Sequence, residues 1–367
     1  MRKTGALPMT SAAFVIPGDI DLPTGGYAYD RRVLARLPAH GVAIEHIRLP
    51  GSFPFPSEAD VAATVAAVAG LPQDTVLLID GLSYGALPTA AVEAIRQPIV
   101  ALCHHPLALE AGLSDTMQAR LKASEIAALG LARHTIATSP MTKRILVTDF
   151  GQSDGTVTVA EPGTDRAQRA TGSGGAPHLV AVGSIVPRKG YAVLVEALEA
   201  LSHLDWRLTI VGAARDADTL AALETQISAS GLGDRITLAG AQADSELAVT
   251  YQSADIFVMP SLFEGYGMVL AEAMARGLPI VCTTGGAAAE TAPNSAALKV
   301  APGDADAFGA ALGRLLGDAG LRRQMAEASW AAGLMLPTWD DTTKIIAAVL
   351  SMTVRVPMAK QFGVISK

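Results

Sequence analysis

Two carboxylates, Glu264 and Glu272, flank a stretch that reads as the start of a helix, with Gly265 and Gly267 between them. A helix start offers unpaired backbone N–H groups and the positive end of a dipole, which suits an anion such as phosphate. The two glycines let the backbone approach such a ligand closely. The carboxylates would repel phosphate, so they suit sugar hydroxyls or a developing positive charge, with Glu272 about a turn inside the helix. An ordinary strand–helix unit with solvated glutamates has the same spacing. A second group is Arg188-Lys189, followed by Gly190 and placed after a short apolar run. Arg brings forked donors and Lys a point charge, a match for a diphosphate, although a solvated basic turn is the plainer reading of the pair in isolation. His104-His105-Pro106 closes another apolar run, where a histidine is either structural or faces a ligand. No further metal ligands stand near it in the sequence, so no metal is expected.

These groups need elements to place them. Residues 256–259 are a short apolar run ended by Pro260, residues 268–276 are good helix formers stopped by Gly277 and Pro279, and residues 279–283 return to strand character. Upstream, strands are expected at 12–16, 42–49, 75–79, 99–103, 135–138 and 156–159. Helices are expected from Tyr27, at 60–69, 89–96 and 114–131, and from Ser139-Pro140. The loop 17–26 is dense in Gly and Pro and lies at a strand's carboxyl end, where open parallel sheets bind ligands. It is neither Gly-x-Gly-x-x-Gly nor Gly-x4-Gly-Lys-Ser/Thr, which argues against a dinucleotide fingerprint and removes a P-loop.

Residues 166–177 form the clearest linker, rich in Gly, Ala and Ser, and strand–helix alternation restarts beyond it. Strands at 179–182, 207–211 and 236–238 alternate with helices at 191–201, 218–229 and 245–253 before the carboxylate unit. A strand at 297–300 and helices at 305–316, 321–330 and 339–352 complete the pattern. The expected architecture is α/β, with two Rossmann-like doubly wound parallel sheets facing a central cleft. Residues 1–170 would form the first domain and 177–340 the second, and a helix and tail at 341–367 could return to the first.

A chain of 367 residues is too long for one typical domain and fits two of about 150. Half the residues are hydrophobic and 17% charged, a globular composition, and a net charge of −7 gives no support to nucleic-acid binding. Cys103 and Cys282 lie far apart in apolar runs, so both are expected to be reduced core residues of a cytoplasmic protein. No window holds the roughly 18 to 20 apolar residues of a transmembrane segment, and the apolar stretch at 14–16 is too short for a signal core.

Assembled, these residues carry a family resemblance. Val182-Gly183 and Lys189-Gly190, Pro260-Ser261, Glu264-Gly265, Gly267 and Glu272, with Gly25-Gly26, His104, Ser139 and the run Pro162-Gly163-Thr164-Asp165, resemble the motifs of the retaining nucleotide-sugar glycosyltransferases of the GT-B fold, specifically glycosyltransferase family 4. The resemblance implies transfer of a hexose from a nucleoside diphosphate, by family habit UDP, to an acceptor hydroxyl, with no metal and no cofactor. It implies that Lys189 and Arg188 stabilise the diphosphate and that the backbone at Gly267, Met268, Val269 and Leu270 cradles a phosphate. Glu272 would hold the ribose, Glu264 would contact the donor sugar, His104 would line its reacting face, and Gly25-Gly26 would close over the diphosphate. One departure is Ser184, where many members of the family have arginine directly after Val-Gly. The acidic charge and the few basic residues of the 114–131 helix favour a soluble acceptor or a glycan over a lipid. A nucleotide-sugar-binding protein without catalysis and an NAD-dependent dehydrogenase are the alternatives.

Overall fold

Strands buried on both faces read as unbroken apolar runs, because helices cover a parallel sheet above and below. Such runs form the inner strands of the two sheets of this protein in a computed structural model that describes residues 9–110 and 112–355. The first sheet contains β1 (Thr10–Pro17), β2 (Val42–Leu49), β3 (Val76–Asp80), β4 (Ile99–Cys103), β5 (His134–Ala137) and β6 (Val157–Val159) in the order β2-β1-β3-β4-β5-β6. The second contains β7 (His178–Val182), β8 (Arg207–Val211), β9 (Ile236–Gly240), β10 (Ile256–Met259), β11 (Ile280–Thr283) and β12 (Ala297–Val300) in the order β12-β11-β10-β7-β8-β9. Every pairing is parallel, with Phe14 opposite Leu78 in one sheet and Phe257 opposite Val180 in the other. Cys103 and Cys282 are buried, unbridged thiols within β4 and β11.

Helix starts follow their caps. Ser57 and Asp60 form a reciprocal capping box, Ser114 and Ser139 each accept an N–H of the turn they open, and Asp216, Asp304 and Asp318 do the same in the second half. Thr24 corrects one boundary. Its hydroxyl accepts the Tyr27 N–H at 3.2 Å, so the helix is Gly25–Arg36, and Gly25-Gly26 form its first turn instead of ending a loop.

The stretch 166–177 has no helix or strand but is tied down along its length. Ala170 N–H donates to Arg276 O, Thr171 N–H to Gln252 O and Ser173 N–H to Asp255, while Arg169 pairs with Glu327. The chain returns at residues 335–339, and the two crossings lie side by side: Thr164 N–H donates to Pro337 O at 2.8 Å and the Thr342 hydroxyl to Glu161 O at 2.7 Å. The helix Trp339–Arg355 then covers the first sheet, with Trp339, Ile346, Val349 and Leu350 buried among Phe14, Ile16, Tyr29 and Leu78. Residues 356–367, including Lys360 and Lys367 of the basic tail, lie outside the described residues, as does the Arg355 side chain. No helix among the described residues is long and apolar enough to cross a membrane.

Candidate active site

Open parallel sheets bind ligands beyond the carboxyl ends of their strands, where the strand order reverses. In the first sheet that point lies between β1 and β3, and in the second between β7 and β10. The chemistry-bearing residues sit there. β1 leads to Gly25-Gly26, β3 ends in Asp80 and its neighbour β4 leads to His104, while β7 leads to Arg188-Lys189 and β10 to Glu264.

In the second half the loops after β7 and β10 are locked together. Gly190 has φ 64°, and a side chain there would overlap the Pro260 carbonyl, so glycine is required on both counts. The lock brings Lys189 Nζ to 2.6 Å from Glu264 Oε1 and Arg188 to 3.5 Å from Glu264 Oε2, and Arg188 also donates to Phe263 O at 2.7 Å. Burial on its own would raise the Glu264 pKa, but Lys189 and Arg188 outweigh it and hold the carboxyl down at about 2. Ser184, half-buried, stands in the Gly183-Ser184 segment that packs tightly against Gly212.

In the first half the imidazole of His104 lies between two carboxylates. Its Nε2 is 3.1 Å from Asp30 Oδ1 and 3.4 Å from Asp80 Oδ2, and Asp30 is fully buried with Oδ2 unpartnered. Asp80 Oδ1 accepts the Leu82 N–H at 2.7 Å, and Tyr29 packs edge-on to the imidazole at 5.2 Å. A proton on Nε2 satisfies both carboxylates at once. Burial would lower the His104 pKa, yet Asp30 and Asp80 more than reverse that and push it up to about 10; burial also raises Asp30. These three are also the group of donor atoms, within 4.8 Å of one another, that could hold a metal ion among the described residues.

A group with a raised pKa contributes stability that is complete below its ordinary value, here 6.5, and is lost as pH rises from there through about 10. The ring nitrogens of His104 should therefore keep imidazolium chemical shifts from about pH 6 to about pH 8, where an ordinary histidine has lost its proton. A titration of His104 centred near 6.5 in nitrogen-15 spectra would contradict the paired-carboxylate environment.

The halves meet at this level. A Cβ on Gly265 would overlap the His104 carbonyl oxygen, so glycine is what allows the two backbones to touch. The Thr142 hydroxyl donates to Gly265 O at 3.3 Å, and Arg144 pairs with Glu290. Met268 packs against the buried clusters of both halves, and its sulfur would be 3.9 Å from a Cβ on Gly25. His105 turns away from His104: its Nε2 is 2.9 Å from Glu110, whose other oxygen is 3.1 Å from Arg188.

Glu264, Lys189, Arg188, Gly265 and His104 thus form one continuous group, with Gly26 beside the His104 imidazole. Glu272 stands apart. Its Oε2 accepts the Tyr251 hydroxyl at 2.9 Å, and burial raises its pKa, partly offset by Tyr251 and Arg276. Gly267, at φ 88°, caps the seven-residue helix Met268–Met274, which presents Met268, Val269 and Leu270 as its first turn. Sequence reasoning missed Asp30, Asp80 and Glu110. The nearest signal was Asp80-Gly81 ending a buried strand, which marks the ligand edge of the sheet.

With this geometry in hand, residues 164–330 match the model of the glycosyl transferases group 1. The D-inositol 3-phosphate glycosyltransferase of Arthrobacter sp. (strain FB24) is 36% identical over 171 residues, 41% of this chain and 39% of that protein. The MMP alpha-(1->4)-mannosyltransferase of Mycolicibacterium hassiacum is 32% identical over 199 residues, 50% of this chain and 48% of that one. The chain therefore spans less than half the length of these two relatives. Among solved structures, the sucrose-phosphate synthase of Thermosynechococcus elongatus superposes with a TM-score of 0.80 at 21% identity, covering 93% of this chain and 98% of that one. Anabaena HepE in complex with UDP and glucose gives 0.72 at 18%, covering 92% and 99%.

Proposed function

We propose that this protein transfers a hexose from a nucleoside diphosphate to an acceptor hydroxyl with retention, a reading supported by the match of residues 164–330 to the glycosyl transferases group 1 model and by the GT-B fold of the two facing sheets. The observation that carries the proposal is the buried Lys189–Glu264–Arg188 cluster, set against His104 across the contact of the two halves. In this reading the C1–oxygen bond to the diphosphate breaks as the acceptor oxygen bonds C1 from the same face, and a diphosphate oxygen takes the acceptor's proton. Lys189 and Arg188 stabilise the charge that develops on the departing diphosphate, which is worth most in a closed, water-poor site. The backbone at Gly267–Leu270 adds N–H donors, the free oxygen of Glu272 accepts from the ribose, and Gly25-Gly26 pack over the diphosphate from the first half. Glu264 keeps Lys189 aimed and contacts the donor sugar, and His104 gives that sugar a fixed charged donor. The cations replace a metal at the diphosphate.

The acceptor in this reading is a soluble small molecule or a glycan, met in the cytoplasm, where the buried Cys103 and Cys282 stay reduced. The base of the donor is a matter for experiment: HepE is solved with UDP, while a Mycolicibacterium smegmatis relative, 32% identical over 163 residues, is a GDP-mannose-dependent enzyme. A panel of UDP-, GDP- and ADP-sugars should contain at least one that raises the unfolding temperature and is slowly hydrolysed. Glu264→Gln should keep that protection and lose transfer by about a hundredfold or more. If no nucleotide sugar protects the wild-type chain, the proposal fails; if one protects but neither hydrolysis nor transfer follows, the chain binds donors without catalysis.

A further inference from the structure

Glu110 belongs to the first half and Arg188 to the second, yet one carboxylate joins them. Oε1 lies 3.1 Å from Arg188 Nε and Oε2 lies 2.9 Å from His105 Nε2. Arg188 is then spoken for on two sides: Nε by Glu110, and NH1 by Phe263 O at 2.7 Å and Glu264 at 3.5 Å. Its NH2 group makes no hydrogen bond among the described residues. The guanidinium is planar, so fixing two corners of the fork fixes the direction of the third. Burial works against the Glu110 charge, but His105 and Arg188 overcome it and hold the carboxyl at about 2.

We propose that Glu110 is a positioning residue that aims Arg188 at the donor diphosphate, and that it can do so only when the two halves are shut, so that the second cation of the site is completed by closure. The proposal rests on the donor-site reading above for its ligand, but not for its geometry. Lys189 is placed by its own half through Glu264 and the Gly190–Pro260 lock, whereas Arg188 takes one of its fixed corners from across the cleft. An open form would hold Lys189 ready and leave Arg188 free to swing. The neighbours facing the bridge are His105, Phe263 at 6.1 Å from the His105 ring, Glu264 and Lys189, and the carboxylate that crosses to Arg188 is Glu110.

The test uses the full chain and two readouts. In solution scattering without ligand, Glu110→Ala should be more expanded than wild type, and Glu110→Gln, which keeps an acceptor for Arg188 Nε–H, should fall between them. In donor kinetics with the nucleotide sugar found active in the panel, Glu110→Ala should raise KM by about tenfold with kcat changed much less, Gln should restore most of it, and in an Arg188→Ala background Glu110→Ala should raise KM no further. Unchanged scattering together with an unchanged KM overturns the proposal, and so do additive KM effects in the double variant, because a role independent of Arg188 would add. If no nucleotide sugar binds the wild type, the donor reading fails separately, and the scattering series still decides whether Glu110 holds the halves shut.

Discussion

Lys189→Met should abolish transfer, by about a thousandfold or more, and should also destabilise the fold by about 3 kcal/mol. The two effects have one origin. Glu264 is 7% exposed and keeps its charge because Lys189 at 2.6 Å and Arg188 compensate for its burial. Holding a carboxyl at about 2 instead of 4.5 corresponds to about 3 kcal/mol at roughly 1.4 kcal/mol per pH unit. Its sign fixes the pH window: stability from a depressed carboxylate is present above 4.5 and is lost as pH falls from there through about 2. Without Lys189, burial dominates and the same carboxyl shifts upward, so the variant should gain stability relative to wild type as pH falls from about 7 to about 5. Urea unfolding at the two pH values measures this. Lys189→Met combined with Glu264→Gln should recover most of the stability and none of the transfer, because the buried charge is gone but the cation is not restored. A Lys189→Met chain that unfolds like wild type and turns over within tenfold of it would remove the cluster from the mechanism.

Gly265→Ala should leave each half folded and cost about a hundredfold in kcat/KM. The added methyl would overlap the His104 carbonyl oxygen, a backbone atom that cannot rotate out of the way. His104 is itself tied on both sides, by Asp30 and Asp80 through its imidazole and by the Thr138 hydroxyl, which donates to its carbonyl at 3.0 Å. The strain is therefore relieved by parting the halves, which withdraws His104 from Glu264. Far-ultraviolet circular dichroism and the unfolding midpoint should be close to wild type while scattering shows expansion. Wild-type activity in this variant would mean that the contact of Gly265 with His104 is not needed for turnover.

Much of the fold was legible because parallel strands announce themselves. Residues 42–49, 99–103, 207–211 and 297–300 were read with the bounds they have in the structure; the second is a wholly apolar run, and each is closed by Gly, Pro or a polar turn. The helix at Gly25 was read two residues late, since glycine speaks against helix and the decisive Thr24 hydroxyl bond is a matter of geometry. The 166–177 stretch read as a linker by composition, but its polar atoms are spent on Arg276, Gln252 and Asp255 far along the chain. Of the candidate residues, Glu264, Arg188, Lys189 and His104, which the structure brings together, are marked in the sequence by local glycines and strand ends, whereas Glu272 stands apart on Tyr251. Asp30, Asp80 and Glu110 are not so marked, because what distinguishes them is a partner: His104 lies on another element from both aspartates, and Arg188 lies in the other half from Glu110. Local spacing carries no trace of such pairs.

The helix Trp339–Arg355, which covers the first sheet, has a consequence for synthesis. Phe14, Ile16 and Leu78 leave the ribosome early and meet Tyr29, Val33 and Leu37 soon after, yet the rest of the face they form is covered only when Ile346 and Leu350 have followed, more than three hundred residues after Phe14. Residues 178–335 contain every strand of the second sheet and can close their own core without waiting. The half that is made second is therefore free to mature first, and the half that is made first must be kept from aggregating until nearly the whole described chain has emerged.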